Sequence, residues 1–231
     1  MNLEIVIYAL LSGILPALLW LWFWLKEDNL DPEPRKIIAL TFIAGMLSVI
    51  VALLLEKFIS DIFSDESTRY IFWAAAEEIV KLIAVTIFAF NTKYFDEPID
   101  ALIYCITVAI GFAALENALF IFSHIDSGNI TKGIISGNMR FIGATLVHVV
   151  STASIGFMIG LSYYKGIIIK SISITIGVIL AITLHSAFNL SIIRVTEASD
   201  TLKIFSWVWG AIIILLILFE EIKIIKPKVI K

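Results

Sequence analysis

The chain has 231 residues, of which 60% are apolar and 16% charged, with a mean hydropathy of +0.98; a soluble domain carries about 45–50% apolar and about 25% charged residues. The apolar residues stand in long blocks with short polar connections, which excludes a soluble globular fold and predicts an all-α polytopic membrane protein, a single domain over 1–231. A net charge of −3 with no basic run excludes a nucleic-acid partner, and a lone Cys105 within an apolar block excludes a disulfide framework or a CxxC motif.

About 20 apolar residues cross a bilayer as a helix, so the blocks at 3–25, 37–57, 70–90, 99–122, 140–163, 166–193 and 204–222 predict about seven spans. The first has Asn2 and Glu4 where a signal peptide carries basic residues, which predicts a retained helix. Its Trp20, Trp22 and Trp24 read as an interfacial belt. The segment KEDNLDPEPRK, 26–36, with two prolines, predicts an irregular loop at the interface. Span three holds Glu77, Glu78 and Lys81, span four Glu116 and Asn117, span five His148, and span six His185 and Asn189. Spans one, two and seven are nearly free of such groups and are expected to be peripheral; 123–139 reads as a connecting loop. The loops on one side, with the C-terminal tail, hold ten Lys and Arg against six on the other. That asymmetry predicts a multi-pass cell-membrane protein with an outside N-terminus and a cytoplasmic C-terminus.

An ionisable side chain within a span costs at least about 2.5–3.5 kcal/mol, so each implies a partner or a function. Taken singly, a helical His reads as an interhelical hydrogen-bonder and an Asn as packing glue. Together they read differently. From the 1.5 Å helical rise, Glu77, Glu116, His148 and His185 all lie roughly 9–13 Å below the same membrane face, the outer one on the charge asymmetry. Residues three and four apart share a helix face, so both Glu77 and Glu78 reach Lys81, and Asn189 stands beside His185. One carboxylate neutralised by Lys81 beside a second that can hold a proton is an arrangement for general acid–base hydrolysis. Asn189 is placed to orient the imidazole or to stabilise an oxyanion, and carboxylates with two His also match zinc's ligand types. The rival readings are an ion or proton transporter and a non-catalytic membrane scaffold. A proton relay steps across the whole bilayer, whereas these groups gather near one face.

EEIVK at Glu77–Lys81, FAALEN at Phe112–Asn117 and HSAFN at His185–Asn189 together resemble the EExxK, FxxxEN and HxxxN motifs of the PrsW family of intramembrane proteases. DPEPR at Asp31–Arg35 and His148 in HVVST extend the likeness over about residues 1–195. In the wider superfamily of CAAX prenyl proteases and bacteriocin-processing proteins, the first motif ends in Arg one residue later and the second has His where this chain has Glu116. The resemblance implies hydrolysis of a peptide bond in or near the membrane segment of a single-span membrane protein within the lipid bilayer. Cleavage of an anti-sigma-factor regulator is the best-known role in the family. It implies a site in which Glu77 and Glu78 activate water, Lys81 tunes their charge, and Glu116, Asn117, His148, His185 and Asn189 complete the constellation. Two mechanisms stay open: Zn2+ held by Glu116, His148 and His185 while the Glu pair takes the proton from water, or a metal-free one in which a Glu acts directly.

Overall fold

A computed structural model describes residues 3–26, 32–195 and 198–226. The helices are α1 (Leu3–Leu25), α2 (Arg35–Ile62), α3 (Glu66–Val85), α4 (Asp100–Asp126), α5 (Ile130–Ile142), α6 (Ala144–Leu161), α7 (Ile167–Ile192) and α8 (Ala198–Lys223), with a π-helical turn at Thr86–Phe90 closing α3. Among the described residues there is no strand. Among the described residues six stretches are long and apolar enough to cross a membrane: α1, α2, α4, Met139–Leu161, α7 and α8. Helix α3, whose Glu77, Glu78 and Lys81 lower its hydropathy but are buried within the bundle, packs among them, consistent with about seven spans.

The central post is α4, buried on all sides from Asp100 to Ala114 and packed by α1, α2 and α6. Lipid offers no hydrophobic drive for one helix to join another, so close backbone packing through small residues holds the bundle together. Gly111 of α4 lies against the carbonyl of Phe42 in α2, and Gly45 of α2 against the carbonyl of Val108, leaving no space for a Cβ on either side. The two helices therefore touch backbone to backbone at that level.

Local sequence sets the helix ends. Asp65 caps α3, its Oδ2 accepting from the Thr68 amide at 2.7 Å and the Thr68 hydroxyl at 2.6 Å. These bonds hold its carboxyl below the ordinary carboxylate range.

The structure departs from the sequence reading in three places. The connection at 123–139 is largely helical: α5 starts at Ile130 and breaks at Gly143 before α6. Helix α2 continues to Ile62, past the end of its apolar block, because its last turns pack on α3, where the Trp73 indole donates to the Glu56 carbonyl at 3.0 Å. Of the three tryptophans, Trp22 is exposed with Lys26 above its ring at 3.7 Å, whereas Trp24 is buried against Phe219 and Trp20 donates to the Phe141 carbonyl at 3.3 Å. Packing of α1 against the bundle thus turns two of the belt residues inward. In the DPEPR loop, Asp31 lies outside the described residues; Glu33 accepts a hydrogen bond from the Tyr104 hydroxyl of α4.

Candidate active site

The EEIVK segment lies in the middle of α3, where adjacent residues Glu77 and Glu78 point about 100° apart around the helix. They consequently meet different neighbours. Glu78 is fully buried and fully bonded: Oε1 accepts from Lys81 Nζ at 2.7 Å and His185 Nδ1 at 2.8 Å, and Oε2 accepts from the Thr152 hydroxyl at 2.7 Å. Glu77 Oε2 is buried without a hydrogen bond and stands 3.8 Å from each of three nitrogens: Lys81 Nζ, His148 Nδ1 and His185 Nε2. Lys81 also donates to His148 Nδ1 at 3.0 Å, and its ammonium lies 4.3 Å from the Phe112 ring centroid.

Both imidazoles are oriented from behind by a carboxylate. His185 uses Nδ1 on Glu78, which leaves Nε2 facing Glu77. His148 uses Nε2 on Glu116 Oε2, at 2.8 Å, and turns Nδ1 toward Glu77 and Lys81. Such carboxylate contacts fix the tautomer and raise the donor strength of the inner nitrogen. Arg140 then clamps the EN pair of α4, with Nη2 on Glu116 Oε2 at 2.5 Å and Nε on Asn117 Oδ1 at 2.6 Å. Asn117 passes its amide on to the Thr145 hydroxyl at 2.9 Å.

This cluster forms the inner wall of a cavity of about 530 Å³ whose lining includes Glu56 of α2, Tyr70, Trp73 and Glu77 of α3, Glu116 of α4, Arg140, His148, His185 and Asn189. Residues from α3, α4, α6 and α7 meet at one level around this cavity. All eight residues expected from the sequence belong to this assembly, with different parts. Glu77, Glu116, His148, His185 and Asn189 line the cavity, while Glu78, Lys81 and Asn117 stand behind it and hold the others in place. The sequence reading missed Arg140, at the start of the fifth span, and Glu56, at the end of an otherwise apolar span. It also placed α2 outside the chemistry, whereas Val49, Leu53 and Glu56 line the cavity. A signal was present for Glu56, since it recurs one helical turn below Ala52 on the face buried against the bundle.

The donor atoms suit a metal ion. Glu77, His148 and His185 each present one ligand atom, all within 4.8 Å of one another; ligands about 2.0–2.2 Å from a tetrahedral zinc stand roughly 3.4 Å apart. The orphaned Glu77 Oε2 is the atom a cation would satisfy, and a bond to His148 Nδ1 would replace the one from Lys81. Glu116, expected from the sequence among the ligands, meets His148 on the ring nitrogen turned away from Glu77 and is drawn toward Arg140.

A protein-family model described as PrsW family intramembrane metalloprotease matches residues 33–219. The chain is similar to proteins named protease PrsW. That of Clostridioides difficile is 30% identical over 189 residues, 78% of this chain and 76% of the relative. That of Geobacillus kaustophilus is 26% identical over 157 residues, 66% of each, and that of Bacillus subtilis 22% identical over 186 residues, 79% and 82%. No solved structure matches the chain.

Proposed function

The chain belongs to the PrsW family of intramembrane proteases, and we propose that it hydrolyses a peptide bond in or beside the membrane-spanning segment of a single-span membrane protein. Anti-sigma-factor-like regulators are the first substrate class to test. The observation that carries this reading is the unsatisfied Glu77 Oε2 between two carboxylate-oriented imidazoles, at the wall of a cavity large enough for an extended peptide segment.

Glu77, His148 and His185 are the residues that would hold Zn2+. Zinc bound there supplies a Lewis acid that acidifies water and polarises a carbonyl. Glu78 and Glu116 keep His185 and His148 in the required tautomers. Glu116 also lines the cavity with a side chain 30% exposed. With Oε2 taken by Arg140 and His148, its other carboxylate oxygen is the acceptor for the proton of the attacking water. Lys81 offsets the negative charge of Glu77 and Glu78, and Asn189, at the cavity wall one turn after His185, donates its amide to the developing oxyanion.

The Lys and Arg asymmetry supports a cell-membrane location with the N-terminus outside, the C-terminus cytoplasmic and the cavity facing outward. The test is reconstitution in bicelles with a panel of single-span membrane proteins, comparing wild type with Glu77→Gln. Cleavage by the wild type that the variant lacks is expected. Equal cleavage by both variants would remove Glu77 from the reaction, and proton flux without cleavage in liposomes would favour the transporter reading.

A further inference from the structure

A cavity among membrane helices receives a peptide segment by one of two routes, from the aqueous face or sideways from lipid. The walls of this cavity differ in a way that separates the routes. On α6 and α7 none of its apolar lining is exposed: Val147 is 3% exposed and Phe188 6%, and Ala144 and Ile192 are half-buried. The lining residues of α3, Tyr70 and Trp73, are half-buried. On α2 and α4 the lining residues themselves reach the outer surface: Leu53 is 47% exposed, Leu119 40% and Phe120 41%. A side chain that belongs at once to the cavity wall and to the lipid-facing surface marks where the cavity runs out into the bilayer.

The backbone explains why the opening lies there. Helices α2 and α4 are locked together at Phe42–Gly45 and Val108–Gly111, and further along they share a buried cluster of Val49, Ala52 and Phe112, against which the half-buried Leu115 of α4 packs. Beyond it, α2 packs on α3 through Trp73 and Glu56, while α4 packs on α1 through Ala118 and Gly13. The pair thus joins at depth and parts toward the cavity. At the mouth of the parting stands Glu56, which is half-buried, lines the cavity and, unlike Glu77, Glu78 and Glu116, has no ion pair among the described residues.

We propose that the cleft between the outer halves of α2 and α4, walled by Leu53, Leu119 and Phe120, is the lateral entry for the substrate's membrane-spanning helix, and that Glu56 selects a helix with Lys or Arg at its outer end. The occupant follows from the chemistry of the cleft. Its apolar walls match a lipid-embedded helix, its inner end is continuous with the cavity of the candidate active site, and the unpaired carboxylate complements a basic flank. This inference rests on the proteolytic reading above and adds the route and the recognition element.

The cleft can be closed chemically, because the chain's lone cysteine, Cys105, is fully buried and leaves introduced thiols as the reactive ones. A Leu53→Cys/Leu119→Cys protein is bridged with a bifunctional maleimide in bicelles. It is then assayed on a single-span reporter and on a water-soluble peptide carrying the same scissile bond. Bridging is expected to abolish cleavage of the reporter and to leave peptide cleavage intact, and reductive cleavage of the bridge, where the bismaleimide carries an internal disulfide, is expected to restore reporter cleavage to its level before bridging. Undiminished reporter cleavage by the bridged protein would overturn the entry route. Failure of the unmodified wild type to cut either substrate would instead overturn the proteolytic reading. For recognition, paired reporters differ only in Lys or Glu at the outer end of the span. Wild type is expected to prefer the Lys form and Glu56→Lys the Glu form; an unchanged order of preference would overturn the role of Glu56, whereas a uniform loss in Glu56→Lys is resolved by Glu56→Gln, which must lose the preference while still cutting both reporters.

Discussion

Replacing Glu78 by Gln separates charge from shape at the most heavily bonded point of the structure. Gln can keep the contacts by turning its carbonyl oxygen toward Lys81 and His185 and its amide toward the Thr152 hydroxyl, which is free to accept. What it removes is the negative charge 2.7 Å from Lys81, leaving Glu77 at 3.8 Å as the nearest counter-charge. At an effective dielectric constant of about 20, those separations correspond to attractions of about 6 and about 4 kcal/mol. Because Lys81 is wholly buried, water cannot make up the difference. Leaving one member of a buried pair behind costs about 3–5 kcal/mol, and the remaining attraction to Glu77 places this variant at the lower end, about 3 kcal/mol. Reversible unfolding in mixed micelles, followed by steric trapping, reads that loss directly. Adding Lys81→Met to Glu78→Gln should cost less than the sum of the single changes, with a coupling of about 1–3 kcal/mol. A loss below about 1 kcal/mol for Glu78→Gln, the size typical of solvent-exposed pairs, would refute the reasoning that Lys81 is held by Glu78 out of reach of water.

Further outcomes follow from other parts of the structure. Chelation of the purified protein should abolish peptide hydrolysis, with zinc restoring it, and His185→Ala should bind zinc more weakly in a competition titration than wild type; full activity of demonstrably metal-free protein would sink the zinc assignment. Gly111→Val forces a side chain against the Phe42 carbonyl, an overpacking that should cost about 1–3 kcal/mol by thermal unfolding, whereas an unchanged melting temperature would mean that α2 and α4 are free to separate at that level. The Asp65 carboxyl is held below its ordinary value of about 4 by the Thr68 bonds. The cap therefore contributes fully above that ordinary value, and its contribution fades as pH falls through the lowered one. Wild type should exceed Asp65→Ala in stability at neutral pH by a margin that shrinks on acidification, and a margin independent of pH would contradict the cap.

The division between what was legible in the sequence and what was not follows from the physics of a helix in lipid. Length and hydropathy are one-dimensional properties, and the bilayer imposes a fixed thickness, so about seven spans and the meeting of Glu77, Glu116, His148 and His185 at one level of the bundle were readable along the chain. The cost of burying charge marked the same residues as partners in one site. Rotation about each helix axis carries no such signature. Whether Glu77 or Glu78 turns to the cavity depends on where Thr152 and His185 stand on other helices, and packing assigned Glu78 to the bonded wall and Glu77 to the open one. Residues at the ends of spans were the least legible, because a charge at the interface satisfies the hydropathy pattern equally well whether it points to water or to a cavity. Only the helical continuation of 130–142 swings Arg140 inward onto Glu116 and Asn117, and only the docking of α2 on α3 sets Glu56 at the cavity wall.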